Sequence, residues 1–163
     1  MIVGVFSDVH DNMDALSSVL DDFKARNVTR AIFCGDFCSP IPSRVMGASG
    51  LAIDCVFGNG DADRFAMQRF ASADFPYLTL HGEHAELEID DRKIAVTHYP
   101  LYAQALARTG DYDAVFSGHT HEVHEETFGD CLWVNPGEVL GFKGAPSYAF
   151  YDTGSNTVSI SRL

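Results

Sequence analysis

Five times along this chain a short apolar run stops at Asp, Asn or His: "IVGVFSDVH", "AIFCGD", "IDCVFGNGD", "IAVTH" and "AVFSGHTH". Short runs rich in Val, Ile and Phe suit strands buried in a sheet. Between the first two lies "MDALSSVLDDFKARN", where Met13, Leu16, Val19, Leu20 and Phe23 recur at helical spacing and give one apolar face. Asp11 or Asn12 can cap that helix, and Asn27 is its expected stop. The chain therefore opens as a strand–helix–strand unit, with "LAIDCVFGNGD" as a third strand. "SPIPSRVMGASG" has room for a short helix that Ser39 can cap, and "ADRFAMQRFA" reads as a further helix.

The pattern then changes. "YLTLHGEHAELEIDDRKIAVTH" holds three strand-like runs joined by Gly-Glu and Asp-Asp turns, which predicts antiparallel hairpins. A helix in "YAQALARTG" leads into "DAVFSG", and the remainder is strand and turn. The expected class is α/β: two packed mixed sheets flanked by helices. Nothing resembles a linker, a repeat or a low-complexity run, so residues 1–163 are read as a single domain. At 46% hydrophobic residues the chain has the material for a core.

No apolar stretch approaches the roughly 18 residues that span a bilayer. The start, "MIVGVFSDVHD", lacks the basic n-region of a signal peptide, so a cytoplasmic protein without membrane association is expected. The formal net charge of −12 disfavours nonspecific binding to nucleic acid or to anionic membrane. Cys34, Cys38, Cys55 and Cys131 form no CxxC pair and are expected to be buried reduced thiols.

The ends of the apolar runs carry Asp8 and His10, Asp36, Asn59 and Asp61, His98, then His119 and His121. Each falls at the carboxyl end of an expected strand, the edge where open α/β sheets bind ligands. Singly, each has a plain structural explanation. An Asp after a strand is an ordinary helix cap, and an Asn between glycines is an ordinary turn residue. Jointly they do not, because, with Asp61 set aside, two carboxylates, one amide and four of the chain's seven histidines converge on strand exits. That mixture of nitrogen and oxygen donors without thiolate suits Mn²⁺, Fe²⁺, Zn²⁺, Ni²⁺ or Co²⁺. Seven candidate ligands exceed the need of one tetrahedral ion, which points to two ions sharing a carboxylate. On an extended exit, His119 and His121 would point the same way, one towards each ion. Asp61 is read either as a partner for a ligating histidine or as a cap for the following helix. His81, His84 and His124 are expected at the surface, and Arg64 either at the surface or against a phosphate.

"SDVH", "GDFCS", "GNGD", "VTH" and "GHTH", in that order, resemble the calcineurin-like metallophosphoesterase superfamily, and within it the small single-domain phosphodiesterase branch of the YfcE/MJ0936 type. The resemblance covers essentially the whole chain. It implies an αββα four-layer sandwich and a dinuclear centre binding two divalent transition metal ions, with Mn²⁺ first among them. Asp8, His10 and His121 would hold one ion, Asn59, His98 and His119 the other, and Asp36 would bridge. Asp36, Asn59 and His98 are the residues expected to carry catalysis. Two departures stand out. Many members have Gly-Asn-His-Glu, where this chain has Gly60 in place of the histidine, and many have Gly-His where it has Tyr99-Pro100 after His98.

The expected activity is metal-assisted hydrolysis of a small phosphoester, with a phosphodiester favoured. Two ions about 3.5–4 Å apart can clamp an in-line displacement and acidify a bridging water to hydroxide. The alternatives are a phosphomonoesterase or phosphoprotein phosphatase, and a non-catalytic scaffold of the kind found in retromer. Homo-oligomerisation is compatible with the sequence.

Overall fold

In the computed structural model, which describes residues Met1–Leu163, the first half alternates strand and helix: β1 (Ile2–Phe6), α1 (Met13–Ala25), β2 (Arg30–Phe33), α2 (Pro40–Ala48), β3 (Ala52–Cys55), α3 (Arg64–Asp74) and β4 (Leu78–Leu80). The second half continues through β5 (His84–Ile89), β6 (Arg92–Thr97), α4 (Pro100–Ala107), β7 (Ala114–Phe116), β8 (Val123–Phe128), β9 (Cys131–Pro136), β10 (Ser147–Asp152) and β11 (Thr157–Arg162). Two mixed sheets result, ordered β11-β10-β1-β2-β3-β4 and β5-β6-β7-β9-β8. Strands β1 to β4 run parallel, and β6, β7 and β9 run parallel in the other sheet.

Three separate apolar cores define four layers. Phe6, Phe23, Phe33 and Met46 fill the space between the first sheet and helices α1–α3. Val3, Val5, Ile32, Val96, Phe116 and Tyr151 fill the space between the two sheets. Ala95, Ala103, Ala107 and Trp133 pack α4 against the second sheet. The alternation along β1 explains the division: Val3 and Val5 face the other sheet, whereas Phe6 faces the helices, because side chains on a strand alternate. Phe23 of α1 meets the rings of Phe6, Tyr148 and Phe150 edge-on at 5.6–5.7 Å. Burying a side chain of that size stabilises the fold by roughly 1.5–3 kcal/mol. The helix ends follow the sequence: Asn12 accepts a hydrogen bond from Ala15 N–H, Ser39 accepts one from Ile41 N–H, and Asn27 sits at φ 58° just past α1.

The expectation of successive hairpins holds for one pair only. Strands β5 and β6 form an antiparallel hairpin through Asp90 and Asp91, both at positive φ. Strand β4, however, pairs parallel with β3 in the first sheet. The Gly82–Glu83 segment is thus a crossing between sheets rather than a hairpin turn. Turn residues mark where the chain bends, and they do not say which sheet receives the next strand.

Candidate metal centre

The loops after β1, β2 and β3 and those after β6 and β7 bring all seven candidate ligands to one edge of the sandwich. Backbone hydrogen bonds lock these loops together: Asp8 N–H donates to Gly35 O (3.0 Å), Val9 and His10 N–H both donate to Asp36 O (3.1 Å each), and Gly118 N–H donates to His98 O (3.0 Å). The exits are not extended. Asp8, His10, Asp36, His119 and His121 all have positive φ, from 43° to 76°. His119 and His121 therefore reach the site from left-handed turns rather than from a strand that runs on straight.

Asp8, His10, Asp36 and His121 each offer one ligand atom, and these atoms lie within 4.8 Å of one another. The His10 and His121 Nε2 atoms are 3.2 Å apart. Asp8 Oδ1 lies 3.3 Å from His121 Nε2, and Asp36 Oδ2 lies 3.4 Å from His10 Nε2. Beside this group, His98 Nε2 approaches the same Asp36 Oδ2 at 3.3 Å. The His119 ring centre is 5.1 Å from that of His98, and His119 Nδ1 is 2.8 Å from Asn59 Oδ1. The site is thus two adjoining donor sets that meet on one carboxylate oxygen.

Partner chemistry fixes the tautomers. His98 Nδ1 lies 2.8 Å from Cys34 O, and a carbonyl only accepts, so Nδ1 carries the proton and Nε2 keeps its lone pair in the neutral ring. That Nε2 is buried with no hydrogen-bond partner and faces a carboxylate. Likewise His121 Nδ1 is 2.5 Å from Glu138 Oε2, which turns its Nε2 inward. Lone pairs facing carboxylates repel, and a cation between them turns the repulsion into attraction. Protons compete for the same positions. The hydrogen bond with Asp8 raises the His10 pKa, and burial, although it pushes the Asp36 carboxyl up, is outweighed by His98, Gly60 N–H and His10 together, which hold it low. An inward-facing set of imidazole nitrogens and carboxylate oxygens fits divalent transition metal ions.

Two supporting residues come from different levels of legibility. Asp61 does neither of the jobs expected of it: Asp63 caps α3, and Asp61 accepts no hydrogen bond from a histidine. Its buried carboxylate instead accepts the N–H groups of Asp36 (3.2 Å), Cys38 (3.1 Å) and Gly58 (2.7 Å), fastening the β2 loop to the β3 loop. Burial pushes its pKa up even though those N–H groups favour the anion. Glu138 was not anticipated. It is 2% exposed, its Oε1 accepts Lys143 N–H, and its Oε2 orients His121. A Gly-Glu pair in a long loop gives no hint of this, and only the fold brings it to the histidine.

Asp36 Oδ1 accepts Gly60 N–H at 2.6 Å. A Cβ on Gly58 would lie 2.2 Å from that oxygen, so only glycine fits there. Gly60 has no positive φ, and a Cβ on it would sit 3.2 Å from Asp36. What limits a histidine at position 60 is thus contact with the Asp36 carboxylate rather than backbone conformation. His81, His84 and His124 lie at the surface beside Asp54, Glu86 and Glu126. Cys34, Cys55 and Cys131 are buried free thiols, whereas Cys38 is half-buried with Sγ 3.0 Å from His10 Nδ1. Burial and the surrounding carboxylates push the Cys38 thiol to about 11. Arg64 ion-pairs with Glu83 at 2.8 Å and donates to Gly58 O at 2.7 Å.

Residues 1–156 match the calcineurin-like phosphoesterase superfamily domain. The chain is 31% identical over 156 residues to Phosphodiesterase MJ0936 of Methanocaldococcus jannaschii, covering 94% of this chain and 93% of that protein. The solved structure of an archaeal phosphodiesterase superposes with a TM-score of 0.93 at 30% identity over the full length of both chains. Vps29 from Entamoeba histolytica superposes with a TM-score of 0.71 at 18% identity, covering 100% of this chain and 98% of that one, a likeness of fold.

Proposed function

The chain belongs to the calcineurin-like phosphoesterase superfamily, and from that membership we propose that it is a phosphodiesterase whose seven converging side chains hold two divalent metal ions. The observation that carries the proposal is Asp36 Oδ2, approached at 3.4 Å by His10 from one donor set and at 3.3 Å by His98 from the other. In this reading Asp8, His10 and His121 would hold one ion, Asn59, His98 and His119 the second, and Asp36 would serve both. Bound ions of this kind supply positive charge to phosphoryl oxygens and acidify a water nucleophile.

The residues of the chain do the rest. Asp36 is aimed by Gly60 N–H, and Asp8 by His119 N–H at 3.1 Å. Glu138 and Cys34 O fix the His121 and His98 rings in the tautomers that leave Nε2 free to ligate. Preorganisation of this sort lowers the cost of concentrating charge at the phosphoryl group, which matters in a protein whose overall charge repels anions. Mn²⁺ fits four imidazoles better than Mg²⁺, which prefers oxygen ligands.

The diester preference is supported by the phosphodiesterase identity of the relative that covers this chain. Protein reconstituted with Mn²⁺ should hydrolyse bis-p-nitrophenyl phosphate with a kcat/KM at least about tenfold above that for p-nitrophenyl phosphate, about 1.4 kcal/mol of transition-state preference. A higher value for the monoester would replace this reading with a phosphomonoesterase.

A further inference from the structure

Next to the candidate centre lies a cavity of about 410 Å³, whose lining includes Thr97, Tyr99, Tyr102, Leu106, Glu83 and His84. Tyr99 is the wall shared by the two. Its ring centre stands 5.2 Å from that of His98 and 5.4 Å from that of His119 on one side, and 5.7 Å from that of Tyr102 on the other. Tyr99 occupies the place where the sequence departs from the common Gly-His, so this wall belongs to the chain's own loop. Tyr102 is 58% exposed, and its ring stands at 83° to Tyr99. A flat group stacked on one ring would meet the other edge-on, the arrangement aromatic groups prefer.

The polar rim is placed as well. Glu83 uses Oε1 to hold Arg64, and Arg64 holds Gly58 O in the loop that carries Asn59. Glu83 Oε2 makes no hydrogen bond within the protein and can accept a ring N–H. An aromatic-walled cavity of this volume, with an unpaired carboxylate oxygen at its rim, suits an uncharged planar heterocycle better than an anion.

We propose that this cavity takes the nucleobase of a nucleoside phosphodiester, with Tyr99 and Tyr102 as its stacking residues and Glu83 as its hydrogen-bond acceptor. The proposal rests on the phosphodiesterase reading and adds to it the class of substrate. A phosphoryl group at His98 and His119 places one ester arm beside Tyr99, the residue that follows His98 in the chain. Base–aromatic stacking tolerates any base, so the cavity selects for a nucleoside arm more than for one base.

The test compares two diesters with the same leaving group: the p-nitrophenyl ester of thymidine 5′-phosphate and p-nitrophenyl methyl phosphate. With Mn²⁺-loaded protein, the ratio of their kcat/KM values should be about tenfold or more in favour of the nucleoside ester. Tyr102→Ala should bring that ratio towards one, and Tyr102→Phe should preserve it. Calorimetry with thymidine 5′-monophosphate and with inorganic phosphate supplies a readout independent of turnover. The nucleotide should bind tighter than phosphate, and Tyr102→Ala should erase the difference. A ratio near one, or a ratio that Tyr102→Ala leaves unchanged in folded protein, overturns the nucleobase site while the phosphodiesterase reading stands. If neither ester is cleaved, the phosphodiesterase reading fails, and equal binding of nucleotide and phosphate removes the nucleobase site independently.

Discussion

Asp8, His10, Asp36, His119 and His121 adopt a left-handed backbone that residues with side chains visit uncommonly, at a cost on the order of 1 kcal/mol each. Such strain persists where surrounding hydrogen bonds over-determine it, and here the β1 and β2 loops bond to each other at Asp8, Val9 and His10. The strain aims short side chains inward from adjacent turns, which an extended exit would not do. Glu138 contributes differently, by holding the His121 ring. Glu138→Gln keeps the shape and removes the charge, so metal affinity should fall about 10–100-fold with little change in fold. Calorimetric titration with Mn²⁺ checks this, and an unchanged affinity would show that Glu138 has no part in the centre. Gly60 leaves no imidazole to protonate a leaving group. General acid help is worth about 10²–10⁴-fold, most for poor leaving groups. Rates for a series of diesters should therefore fall steeply as the leaving alcohol grows more basic. A flat series would mean that another group donates the proton.

Loops rather than strands hold the site, and Asp61 is the tie between two of them. Asp61→Ala would strand the N–H groups of Asp36, Cys38 and Gly58, each unsatisfied donor costing roughly 1–3 kcal/mol. We expect a loss of about 3–5 kcal/mol in urea unfolding together with weakened metal binding. A loss under about 1 kcal/mol would mean that the loops hold without it. The strands and α1 were legible in the sequence because β-branched runs and the Leu16, Val19, Leu20, Phe23 spacing are local signals. The sheet assignment of β4 was not, since parallel pairing with β3 depends on contacts distant in sequence. Asp61 was misread for the same reason: its position before α3 resembles a cap, whereas its partners include residues at positions 36 and 38.

Across the full chain, the four layers and the gathering of the candidate ligands at strand ends were readable because apolar runs and their polar terminators repeat in order. The tautomers, the left-handed turns and Glu138 were not, because each depends on how two loops meet in space. No helix is long and apolar enough to cross a membrane. The likeness to Vps29, at 18% identity, is one of fold. The proposed hydrolysis draws its support from a liganding side chain at every proposed ligand position and from a buried His98 Nε2 that no protein group satisfies. Protein stripped of metal, with removal verified by elemental analysis, should therefore be inactive towards bis-p-nitrophenyl phosphate. It should regain activity with Mn²⁺, and less with Mg²⁺, as two ions per chain are taken up. Full turnover by verified metal-free protein in excess chelator would contradict the account.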